Sequence, residues 1–95
     1  MSNAYQFGNT VRLDCVFYGF DGERINPDLV KLILYNSRYE ILKEEFMKTE
    51  NQRNIGEYFY DYITEDKRQT LYYEWYGEMN GKPSLKRGSF ITNFI

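Results

Sequence analysis

Ninety-five residues with one cysteine and a net charge of −2 make a single domain whose core must hold without internal disulfides. The lone Cys15 excludes the disulfide-rich secreted class and suits a reducing interior. So small a charge excludes long-range attraction to nucleic acid or to an anionic membrane as the basis of function. No apolar run approaches the roughly 20 residues that a membrane-spanning helix needs, and no signal-peptide pattern precedes the first strand. Histidine is absent, which removes the commonest general base and the commonest metal ligand together. Ten tyrosines and seven phenylalanines stand against one alanine. Aromatic side chains suit the half-buried face of a sheet, and scarcity of alanine argues against helices.

Residues 1–9 read as an N-terminal segment, either an edge strand or a tag remnant, since Ser2-Asn3-Ala4 fits a native start or a cloning scar. One domain is expected from 10 to 95. Between Thr10 and Tyr18 the chain alternates, with Val11, Leu13, Cys15 and Phe17 on one side and Arg12, Asp14, Val16 and Tyr18 on the other. That is the period-two pattern of a strand with one face in the core. Phe20-Asp21-Gly22-Glu23 and Asn26-Pro27-Asp28 read as turns. From Leu29 to Tyr35, Val30, Leu32 and Leu34 share a face, while Lys31, Ile33 and Tyr35 are largely apolar too, which suggests a central strand. Asn36-Ser37-Arg38 then makes a tight connection into Tyr39–Met47, where two periods compete. Tyr39 and Ile41 share a strand face, and Tyr39, Leu42, Phe46 and Met47 fit a helical stripe. A strand is favoured, because a short turn after a strand invites an antiparallel return.

The polar stretch Lys48–Asn54 reads as loop. Ile55–Ile63 places Tyr58, Tyr60 and Tyr62 on one face against Glu57, Phe59 and Asp61, and the charged Thr64–Thr70 reads as the next loop. Leu71, Tyr73 and Trp75 line one side of the following strand, with Tyr72, Glu74 and Tyr76 opposite. Asn80-Gly81 is the strongest turn signal in the chain, because a type I′ turn needs positive φ at both positions. Lys82-Pro83 is expected to lengthen that loop before a last strand, Leu85–Phe94, with Phe90 and Phe94 on one face. Six strands at this spacing point to an all-β sandwich or small barrel.

Chemistry is sparse along this frame. Cys15 sits mid-strand on the apolar face, where a buried structural thiol is expected and not a nucleophile. Asp21, Glu23 and Asp28 in one loop region, and Glu65 and Asp66 in another, read as solvated charges. No linear spacing pairs them for hydrolysis, and the alternating ligands of a calcium loop are missing. Gly19-Phe20-Asp21-Gly22 lacks the lysine and the helix of a phosphate loop. Lys67, Arg68, Lys82, Lys86 and Arg87 are interrupted by acids and form no nucleic-acid track. No catalytic residue, metal site or cofactor is expected. The inward aromatics are core; the outward ones, Tyr18, Tyr35, Phe59, Tyr72 and Tyr76, are the candidate interaction surface. If their strands are neighbours, these rings form a patch larger than solubility requires; otherwise they stiffen the sheets as cross-strand pairs.

Several segments together carry a resemblance. Asp21-Gly22, Asn26-Pro27, Val30-Lys31-Leu32, Gly56-Glu57-Tyr58-Phe59-Tyr60, Tyr73-Glu74-Trp75-Tyr76-Gly77 and Gly88-Ser89-Phe90 resemble small immunoglobulin-like domains encoded among bacteriophage and prophage structural genes. The likeness runs from about Thr10 to Phe94. It implies an immunoglobulin-like sandwich of six to seven antiparallel strands and carries over no catalytic residue. The expected role is a non-enzymatic virion component or accessory protein, present in the bacterial cytoplasm during expression or in the virion. Such a protein would dock onto a protein surface, or onto itself, through its aromatic face or a sheet edge. A carbohydrate-binding sandwich is the alternative, with Tyr76 or Tyr72 stacking on a sugar beside Glu74 and Asn80. A small hydrolase using loop carboxylates is the weakest alternative.

Overall fold

The alternation between Thr10 and Tyr18 appears in space as a strand with Val11, Leu13 and Cys15 buried and Arg12 and Asp14 exposed. The computed structural model describes residues 2–6, 10–65 and 68–93; Phe94, Asp66 and Lys67 lie outside them. The described residues form eight strands: β1 Ser2–Gln6, β2 Thr10–Val16, β3 Leu29–Tyr35, β4 Ile41–Phe46, β5 Gln52–Asn54, β6 Glu57–Ile63, β7 Gln69–Met79 and β8 Lys82–Asn93. A 3₁₀ turn, Thr49–Asn51, leads from β4 into β5. Tyr39–Met47 is therefore extended over most of its length, as favoured. Lys48–Asn54 is more than a loop, because Gln52 and Asn54 pair with Tyr58 and Glu57 of β6.

The strands form two sheets, ordered β1-β8-β7-β3-β4 and β2-β6-β5. Every neighbouring pair is antiparallel except β1, which runs parallel to β8. The hairpins β3–β4, β5–β6 and β7–β8 alternate between the sheets, and with β1 added at one edge the two sheets make an all-β sandwich. β3 is central in its sheet, between β7 and β4. Both of its edges are consequently paired, and Ile33 is buried on the outer side while Lys31 and Tyr35 beside it are half-buried.

The core lies between the sheets. Trp75 is only 1% exposed, and Phe17, Phe90, Leu32, Leu34, Leu71 and Val11 are equally enclosed; side chains of this size stabilise by roughly 1.5–3 kcal/mol each when fully buried. Two edge-on aromatic pairs add directional contact: Phe17–Tyr58 at 6.1 Å, and Tyr62 of β6 with Phe90 of β8 at 6.4 Å, which bridges the sheets. Such pairs contribute about 0.5–1.5 kcal/mol beyond the area they bury. Gly77 leaves the space that Phe17 fills, and Gly88 does the same beneath the ring of Tyr73. Cys15 is part of this interior, and its burial pushes the thiol up to about 11.

The β7–β8 hairpin corrects one expectation. Asn80 and Gly81 both have positive φ (53° and 75°), and Met79 pairs directly with Lys82. The turn is complete with two residues, so Lys82 and Pro83 belong to β8 and do not lengthen the loop. Pro83 is tolerated because it pairs with Glu78 in a wide position, where its nitrogen points away from β7, while β1 reaches only Ser89–Asn93.

Candidate functional site

The five outward aromatics are divided by the sandwich. Tyr35 and Tyr72 are direct cross-strand partners on the outer face of the five-stranded sheet, and Tyr76, opposite Lys31, lies on the same face. Phe59 belongs to the three-stranded sheet and faces the other side of the molecule. There the guanidinium groups of Arg12 and Arg53 cover its ring, at 4.4 and 5.2 Å. Arg12 is also held by two hydrogen bonds to Asp61, at 2.7 and 2.8 Å, which lower the Asp61 pKa. Tyr18 stands past the end of β2, bridged to Arg24, with the Lys86 ammonium 5.8 Å from its ring. Three of the five thus share a face.

A fourth tyrosine completes that cluster. The turn from β3 to β4 is built on Asn36, whose side-chain oxygen accepts hydrogen bonds from the backbone N–H groups of Arg38 and Glu40, both at 2.9 Å. Its amide nitrogen donates to the Glu40 carboxylate at 2.8 Å, and its carbonyl accepts the Tyr39 N–H. These bonds hold Tyr39 at φ 62°, a left-handed conformation unusual for an aromatic residue. The ring folds back over the sheet and stacks on Tyr72 with centroids 4.5 Å apart. The neighbouring hydroxyl of Tyr39 raises the pKa of Tyr72. The sequence pattern puts Tyr39 in the following strand, whereas it belongs to the turn; Asn36, a residue given to side-chain turns, is the signal for it.

Tyr35, Tyr39 and Tyr72 line a cleft of about 370 Å³ with Glu74 and Arg87. Arg87 donates through Nε to Glu74 at 2.7 Å. The Glu74 side chain is 13% exposed and that of Arg87 71%, so the carboxylate is anchored and the guanidinium open. Burial, reinforced by Glu74, raises the pKa of Tyr35. Asn80, expected near the sugar-stacking rings, is at the opposite end of β7.

Beyond the cleft a second row crosses the face. The Lys31 ammonium is 5.2 Å from the ring of Tyr76 and 5.8 Å from that of Phe46, and it donates to Glu44 at 2.9 Å. That bond raises the Lys31 pKa, and the Tyr76 hydroxyl donates to Glu78 at 3.0 Å. A separate groove of about 270 Å³ lies at the end of the sandwich between the 18–25 loop and the hairpin, with Tyr18, Ile25, Met79 and Pro83 on its walls and Phe20 fully exposed beside them.

The loop carboxylates serve the backbone. Asp21 accepts the N–H of Glu23, and Asp28 accepts that of Asn80. Among the described residues no group of three or more cysteine or carboxylate side chains is placed to hold a metal ion, and no helix is long and apolar enough to cross a membrane. The arrangement is suited to binding: the exposed rings of Tyr39 and Phe46 stand beside half-buried Tyr35, Tyr72 and Tyr76, with hydroxyls and an anchored ion pair among them. Comparison with known proteins finds no matching family, curated protein or solved structure.

Proposed function

We propose that this chain is a non-enzymatic interaction module that docks onto a protein surface through the outer face of its five-stranded sheet. The observation that carries this reading is the continuity of that face. The rings of Phe46, Tyr76, Tyr72, Tyr39 and Tyr35 cross three strands and one turn, and the charges among them are paired within the protein. Aromatic residues with satisfied polar tips are favoured at interfaces, since they bury area at little cost in conformational freedom. The likeness to immunoglobulin-like domains of phage and prophage genes supports a repeating virion protein as the partner.

The test combines sedimentation with binding assays against capsid and tail proteins encoded beside this gene. The expected result is association with one of them, or with a second copy, that weakens when Phe46 and Tyr76 are changed to alanine. A monomer that binds none of them, or a double variant that binds as wild type does, overturns the proposal.

A further inference from the structure

We infer that the cleft formed by Tyr35, Tyr39, Tyr72, Glu74 and Arg87 is a binding site for a neutral saccharide. This goes beyond the docking role: it gives the Tyr35, Tyr39 and Tyr72 part of that face a ligand of its own, and the cleft variants that test it leave the Phe46 and Tyr76 row, on which the docking test rests, unchanged. At about 370 Å³ the cleft falls near the small end of the roughly 300–1,000 Å³ range of small-molecule sites. Its contents match what a pyranose ring presents, an apolar C–H face and a rim of paired hydroxyls. Tyr39 is 66% exposed with its other side fixed against Tyr72, so it offers a flat platform that is already immobilised. Glu74 supplies an anchored acceptor, Arg87 supplies N–H donors, and the tyrosine hydroxyls can do either.

Charge narrows the ligand class. Glu74 and Arg87 neutralise each other at 2.7 Å, so the cleft holds no surplus charge to select an acidic or a basic ligand. The stacking narrows it again. A proline-rich peptide needs a slot between separated rings, and here the slot is closed by the 4.5 Å contact between Tyr39 and Tyr72. The turn also spends backbone strain to hold Tyr39 in place (φ 62°), and strain of this kind gathers at binding sites.

The experiment is a titration of the ¹⁵N-labelled full chain with cellobiose, lactose, maltose and N,N′-diacetylchitobiose, followed by amide chemical shifts. At least one sugar is expected to shift the amides of Tyr35, Tyr39, Tyr72 and Arg87 saturably. Tyr39→Gly, which removes the platform while glycine accepts the positive φ, should weaken that sugar by about tenfold. Arg87→Gln should weaken it as well, and Ile63→Ala, on the other face, should not. No shift at the cleft with any of the four sugars overturns the inference. So does wild-type affinity in both cleft variants, or a decaproline peptide that moves these amides when the sugars do not.

Discussion

Gly77→Ala tests how the two sheets interlock. A Cβ built on Gly77 meets Cε1, Cδ1 and Cζ of Phe17 at 2.5, 2.9 and 3.0 Å. Carbon atoms pack at about 3.5–4.0 Å, so the ring or the strand must yield by about 1 Å in an interior as dense as a molecular crystal. Phe17 is fully buried and has nowhere open to go. At an unobstructed strand position the same change would stabilise by about 0.5–1 kcal/mol, because alanine has less backbone freedom to lose. With contacts this short the overpacking cost belongs in the upper part of its usual range, about 2–3 kcal/mol, which leaves a net loss of about 1–2.5 kcal/mol and lowers Tm by roughly 4–20 °C in a domain of this size.

Urea unfolding should show the midpoint falling with the slope unchanged. Phe17→Leu removes the obstructing ring, so it should cost less in the Gly77→Ala background than in wild type, with a coupling of about 0.5–3 kcal/mol. A Gly77→Ala variant as stable as wild type would refute the interlock, as would a Phe17→Leu cost identical in both backgrounds.

Trp75→Ala should cost about 3–5 kcal/mol in thermal melts. Trp75→Phe should cost much less, since it also deletes a buried indole N–H that has no acceptor among the described residues, an orphan worth about 1–3 kcal/mol. Gly81→Ala should cost about 1 kcal/mol in urea unfolding, all of it backbone, because its φ is 75° while a Cβ there meets nothing within 4 Å. The Cys15 thiol should resist Ellman's reagent at pH 8 in the folded chain and react once urea unfolds it. Burial holds its pKa near 11, whereas the unfolded thiol titrates near about 8.5. The unfolded chain therefore releases its proton first, and stability should be constant in this respect below about pH 8.5 and decline from there towards pH 11.

Strand faces were legible where burial is one-sided. Val11, Leu13 and Cys15 alternate with Arg12 and Asp14 because β2 has the core on one side and solvent on the other. The central place of β3 was legible for the opposite reason, since Ile33 needs cover on the outer face as well. β5 was hidden: Gln52-Arg53-Asn54 has no apolar member, and the strand exists only because β6 offers it an edge. β4 was ambiguous because its apolar residues do not mark the core. Ile41, Leu42 and Phe46 are exposed, while Lys43 and Glu45 take the inner positions opposite Leu34 and Leu32.

The candidate site suffered from the same limit. Whether Tyr35 meets Tyr72 depends on β3 pairing with β7, two strands far apart in the chain, and no local period reports that. Phe59 was grouped with them by its alternation alone, which is silent on which sheet a strand joins.

Between the two docking modes open to a sheet protein, face and edge, three of the four edge strands argue for the face. β4 places the charged run Lys43-Glu44-Glu45 along its free side, and β5 is only three residues long. On β2 the outer carbonyl of Val16 accepts a hydrogen bond from the Lys86 ammonium at 2.8 Å, so one rung of that edge is taken by a side chain from the opposite sheet. Charged, short or occupied edges are how sheet proteins discourage strand addition. The outer face of the five-stranded sheet carries no such defence. Lys31 and Glu44, and Arg87 and Glu74, are drawn into pairs, which leaves the rings between them with free energy still to gain from being covered.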